Sequence, residues 1–225
     1  MSIKQLTEEL IKTLAIQWCG YCQKLENTVA RKTLPPFANN PKNVSIELPR
    51  RIVNSERITM GDDVNIGPNA LLIAVTGYPG VSMQHPEKRE RKQTFDSTIT
   101  IGNRVTSTGQ LQVAAMSCIT IEDDVMFATN VNITDGFHGF THIKEPYKYQ
   151  ELFRIQPITI GRGCWIGQNV VICPGVTIGT MTIVGANSVV TKSLPDRCIA
   201  VGSPARVVKV WDDRKEQWIP AENEV

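Results

Sequence analysis

Aliphatic residues return every sixth position between residues 60 and 195. Each is followed by a small or acidic residue, two polar ones and then a small or β-branched one. The clearest run reads IGRGCW IGQNVV ICPGVT IGTMTI VGANSV VTKSLP, led by residues 160, 166, 172, 178, 184 and 190. The same frame appears in IEDDVM FATNVN ITDGFH (121, 127, 133) and more weakly at 101, 107 and 113 and at 60, 66 and 72. A period of six matches neither the helical repeat nor strand alternation. It fits a solenoid in which each hexad is a short strand plus a corner and three hexads close a triangular coil of about eighteen residues. The lead residue and the one four places later should point inward and stack on their equivalents one coil away, about 4.8 Å along the axis. Gly, Asn and Asp beside them suit tight corners.

The interruptions carry as much information as the repeat. Phase is lost at 78–98, YPGVSMQHPEKRERKQTFDST, and at 139–159, GFTHIKEPYKYQELFRIQPIT. A solenoid accepts insertions only at its corners, as loops over its surface, and long loops are where sites are built. The basic run KRERK in the first loop reads as a solvated tip, with the binding of an anionic ligand as the alternative.

Upstream, apolar residues at Ile3, Leu6, Leu10, Leu14, Trp18, Cys22, Leu25 and Val29 step by three and four, which predicts an amphipathic helix ending before LPPF. The stretch IQWCGYCQKL spells a thioredoxin-like Cys-x-x-Cys, but no strand precedes it and no βαβ unit follows. Its cysteines therefore read as packing residues, and the helix as a cap on the open end of the solenoid. The predicted organisation is an N-terminal helical segment (1–45), a β-solenoid with two loop insertions (46–205) and a tail (206–225).

Composition narrows the class without naming a function. The chain has 225 residues, 41% hydrophobic and 20% charged, and a net charge of +2, too small for a general nucleic-acid binder. No apolar run approaches the roughly 20 residues of a membrane span, and MSIKQLTEEL lacks the form of a signal peptide, so a cytoplasmic location is expected. The six cysteines then read as thiols and not as a disulfide framework.

There are three histidines, His85, His138 and His142. His138 stands where the second insertion leaves the coil, a rigid edge that suits a general base near neutral pH. A loop histidine without a task is the alternative. Asp135 could orient its imidazole or be an ordinary corner residue.

The segments TDGFHG, PITIGRGCWIGQNVVICPGVTIG, IVGANSVVTKSLP and AVGSPARVVK resemble the coenzyme A-dependent O-acetyltransferases of the hexapeptide-repeat family, most of all those acting on sugars and cell-surface polysaccharides. The resemblance covers roughly residues 99–210. It implies a left-handed parallel β-helix, a handedness that the period alone does not supply. It also implies acetyl-CoA as donor, no metal, and His138 as the base that deprotonates an acceptor hydroxyl in direct transfer. Trp165 would contact the substrate or the acetyl-bearing arm, and His142 would be a substrate contact or a rival base. Ala186, Thr191 and Lys192 would line the pantetheine, with Arg206 and Lys209 approaching the phosphates. Members of the family are usually homotrimers with sites between neighbouring prisms. If the acceptor is lipid-linked, the enzyme would work at the inner face of the membrane.

Rival readings are an amino-sugar N-acetyltransferase or antibiotic acetyltransferase sharing the donor site, a γ-carbonic-anhydrase-like zinc enzyme using three histidines, and a non-catalytic scaffold.

Overall fold

The computed structural model describes residues 3–87 and 92–221, apart from the side chains of residues 3, 4, 6 and 7. Most of the KRERK run thus falls outside the described residues. The chain divides into two compact units, residues 1–34 and 35–225.

The first unit is one helix, α1 (Ile3–Lys32), continuous through Gly20. Arg31 and Lys32 in its last turn complement the helix dipole. It ends ahead of Pro35, whose ring disfavours helical geometry at Leu34. Along its apolar stripe, Leu10, Leu14, Trp18, Leu25 and Val29 are exposed. So is Cys19, while Cys22 is half-buried, which leaves Cys19 without the packing role expected of it.

The second unit is a left-handed parallel β-helix with three faces. The first face stacks Ser45–Ile46, Asn65–Ile66, Thr106–Ser107, Met126–Phe127, Trp165–Ile166, Ile183–Val184 and Cys198–Gly202. The second stacks Arg50–Val53, Ala70–Ala74, Gln112–Ala115, Asn132–Thr134, Val171–Ile172 and Val189–Val190. The third stacks Ile58–Met60, Thr98–Ile101, Cys118–Ile121, Ile158–Ile160 and Thr177–Ile178, extended by a bridge from Ile178 to Leu194. Each coil runs third, first, second face and back.

Strand register reproduces the hexad frame residue for residue. Met60, Ile101, Ile121, Ile160 and Ile178 align on the third face. Ile66, Ser107, Phe127, Ile166, Val184 and Ala200 align on the first. Leu72, Val113, Ile133, Ile172 and Val190 align on the second. All these positions are buried, and in the regular run so are the residues four places on: Cys164, Val170, Val176, Thr182 and Ser188. Each aliphatic withdrawn from water contributes about 1.5–3 kcal/mol, so the stacked columns are the dominant stabilising feature.

Corners are tight enough to fix residue type. A Cβ on Gly61 would lie 2.3 Å from the carbonyl carbon of Gly102 in the next coil, so only glycine fits. Between the first and second faces, Asn130, Asn169 and Asn187 adopt positive φ. Their amides form a ladder, each Nδ2 donating to the next Oδ1 at 2.9 Å. Ala205–Asp212 pairs antiparallel with Cys198–Gly202, and Gln217–Pro220 pairs antiparallel with Ala205–Asp212, which extends the first face by two strands.

Candidate active site

Both insertions leave the solenoid from one corner, between the second and third faces. The first follows Ala70–Ala74 and the second follows Asn132–Thr134. Between their roots the chain turns directly from Gln112–Ala115 to Cys118–Ile121 through Met116 and Ser117. Asp135, fully buried, secures that turn: its carboxylate accepts the N–H of Met116 at 2.6 Å and of Ser117 at 2.7 Å. Burial pushes the Asp135 carboxyl up, and these two amides pull it back part of the way. Asp135 is thus a corner residue holding the insertion roots, and its oxygens are committed to backbone instead of to an imidazole.

Each insertion opens as a short antiparallel hairpin, Gly77–Tyr78 with Gln93–Thr94 and Phe137–His138 with Leu152–Phe153. The second requires Gly139, where a Cβ would meet the carbonyl oxygen of Glu151 at 2.4 Å. The side chain of Gln93 joins the hairpins, accepting from Leu152 N–H at 2.7 Å and donating to Leu152 C=O at 3.2 Å. His138 pairs with Leu152 and is exposed. Its Nδ1 lies 3.2 Å from the hydroxyl of Tyr78, and the two rings meet edge to face with centroids 5.6 Å apart. The Tyr78 hydroxyl also donates to the Lys148 carbonyl at 2.6 Å. Burial of Tyr78 pushes its phenol up, which keeps it neutral.

Beyond His138 the second insertion encloses a recess of about 350 Å³ lined by Thr141, His142, Glu145, Gln150 and their neighbours. Buried Gln150 shapes it, donating to the carbonyls of His142 and Glu145 and accepting the His142 N–H. His142 lines this recess; His138 does not. The His85 ring lies against Tyr149, and its Nδ1 accepts the Glu87 N–H. Among the described residues, no group of three or more His, Cys, Asp or Glu could hold a metal ion.

The remaining predicted residues fall in three places on the prism. Thr191 and Lys192 turn the same second-to-third corner as His138, two coils further on and so about 10 Å along the axis. Trp165 projects from the first face, 48% exposed, between Met126 and Ile183 in the same outward row. Arg206 and Lys209 lie exposed on the strand added at that face's edge. Ala186 turns the corner between the first and second faces. The first face lies opposite the corner that carries His138, so one chain does not bring Trp165, Arg206 or Lys209 to the imidazole. Among buried thiols, Cys164 is pushed up to about 11 by burial, a poor nucleophile near neutral pH.

Tyr78 escaped the sequence reading. Its one signal was position: the hexad frame breaks at residue 78, so it is the first residue out of phase.

The family described as "Bacterial transferase hexapeptide (six repeats)" matches residues 157–192. The chain is 38% identical over 125 residues to the galactoside O-acetyltransferase of Escherichia coli K12, a match covering 56% of this chain and 60% of that protein. It is 31% identical over 158 residues to a Schizosaccharomyces pombe protein named "Putative acetyltransferase", covering 67% of this chain and 74% of the relative. In fold it matches a single-residue mutant of AntD, an N-acyltransferase from Bacillus cereus solved with dTDP and coenzyme A, at a TM-score of 0.61. That match has 22% identity and covers 80% of this chain and 86% of the other. The chain therefore spans about three fifths of the galactoside enzyme's length.

Proposed function

Because the chain belongs to the hexapeptide-repeat acyltransferases, we propose that it is a cytoplasmic enzyme moving an acetyl group from acetyl-CoA to a sugar hydroxyl, with His138 as general base. The acceptor class is a cell-surface polysaccharide or its precursor. The observation that carries the reading is His138 itself: an exposed imidazole at the root of a hairpin, on a corner fixed by stacked coils. Its free ring nitrogen removes the proton from the acceptor hydroxyl as that oxygen attacks the thioester carbonyl. The tetrahedral oxyanion collapses with cleavage of the C–S bond, and the imidazolium returns its proton to the departing thiolate. Transfer is direct, so no cysteine nucleophile is needed, in keeping with the raised thiol of Cys164.

Lys192, Arg206 and Lys209 are exposed cations suited to the phosphates of coenzyme A, and Ala186 and Thr191 offer backbone along its arm. Their distribution over opposite sides of the prism supports a homotrimer whose clefts pair the His138 corner of one chain with the first face of the next. In that arrangement Trp165 meets substrate from the neighbour and His142 meets it from the recess.

The test is acetyl transfer to a panel of sugars and amino sugars by the native protein and by His138→Ala. The variant should lose about 10²- to 10⁴-fold in turnover. Undiminished turnover would remove His138 as the base, and acetylation of amino sugars alone would replace O- with N-transfer.

A further inference from the structure

The contact between Tyr78 and His138 specifies where the protons sit. A tyrosine hydroxyl has one hydrogen to give, and a backbone carbonyl can only accept. At 2.6 Å from the Lys148 carbonyl, the Tyr78 hydrogen is committed there. What the Tyr78 oxygen turns toward His138 is therefore a lone pair. A lone pair 3.2 Å from Nδ1 makes a hydrogen bond only if Nδ1 carries the proton. Nε2 is then left unprotonated.

We propose that Tyr78 is a positioning residue for the acetyl-transfer reaction, holding His138 in the Nδ1–H tautomer so that Nε2 faces the acceptor as the base. This rests on the reading of His138 given above. The device is assembled from both insertions: the first supplies Tyr78, and the second supplies the imidazole and the carbonyl that fixes the hydroxyl's direction. It works throughout the proton transfer. When Nε2 takes the acceptor's proton, Nδ1–H stays in place and the phenolic oxygen faces the new imidazolium, lowering the cost of its charge. The role is one that Asp135, committed to Met116 and Ser117, does not fill. The edge-to-face ring contact holds the imidazole plane while the hydroxyl sets its tautomer. Burial of Tyr78 keeps the hydroxyl neutral, so the direction of the bond does not change across the working pH range.

The experiment combines nitrogen-15 NMR of the histidine rings with steady-state kinetics on native protein, Tyr78→Phe and Gly80→Ala. The phenylalanine keeps the ring and removes only the oxygen. In the native protein at a pH where His138 is neutral, its signals should be those of Nδ1–H. In Tyr78→Phe they should move toward Nε2–H, with kcat about ten-fold lower and KM for acetyl-CoA within about two-fold of native. Gly80→Ala, in the same insertion as Tyr78, places its methyl in open space and should leave the tautomer as it is. A native His138 already in the Nε2–H form overturns the proposal, even if Tyr78→Phe does not fold. A tautomer and kcat unmoved by Tyr78→Phe, or a tautomer moved as far by Gly80→Ala, overturns it as well. Failure of the underlying reading looks different: His138→Ala would then stay active whatever the tautomer.

Discussion

Two corners of the same prism, built from the same hexads, have different tasks. The corner between the first and second faces turns without insertion in every coil, and its asparagines stack amide on amide at positive φ. The corner between the second and third faces is broken twice, and each break carries away a hairpin with side chains that could do chemistry. Regularity supplies stiffness, because each coil templates the next. Irregularity supplies a site, because only where the stacking stops can a side chain leave the row. The Asp135 carboxylate lets the two coexist by closing the uninterrupted turn between the insertion roots.

The largest expected effect tests that closure. Asp135→Ala leaves the N–H groups of Met116 and Ser117 without an acceptor inside the corner, a loss on the order of 2–4 kcal/mol in urea unfolding. Its pH dependence has a definite sign. Burial raises the Asp135 carboxyl, so its stabilisation is complete below the unfolded value and lost as pH rises through the folded one. The gap between native protein and variant should therefore be widest near about pH 4 and narrower near about pH 8. A gap that widens with pH would mean that the two amide bonds outweigh burial.

Next is the broken corner's own geometry. Gly139→Ala drives a methyl into the Glu151 carbonyl and must displace the His138 hairpin. A fall in turnover of about 10²-fold is expected with the circular dichroism spectrum unchanged. Gly80→Ala in the other insertion has open space around the new methyl and is the matched control. Equal activity of the two variants would show that the hairpin's placement is irrelevant to turnover.

The smallest effect belongs to the regular corner. Asn169→Ala removes two ladder bonds and places alanine at φ +57°, which should cost about 1–2 kcal/mol in thermal unfolding without altering KM for the acceptor.

Much of the fold was legible because the solenoid is nearly one-dimensional. Leads at 60, 66 and 72 predict inward positions, and Met60, Ile66 and Leu72 are buried in register with their counterparts one coil on. The frame shows that residues stack, but it carries no information across a break. Tyr78 and His138 lie sixty residues apart on the chain and meet only because both insertions leave one corner. Gln93 and Leu152 meet for the same reason. Trp165 was legible as outward-facing, since it precedes a lead residue, but not as lying opposite His138. That separation depends on which face each hexad occupies once the coil closes.

The six-residue pattern by itself determined the stacked core, the corners and the positions of both insertions, because each of these follows from local burial and turn chemistry repeated along one axis. Tertiary structure alone decided that the two insertions share a corner, that Asp135 serves the backbone, and that a tyrosine is the partner of His138. Those contacts join segments whose separation in sequence is set by loop lengths, and loops carry no periodicity from which their landing points could be read.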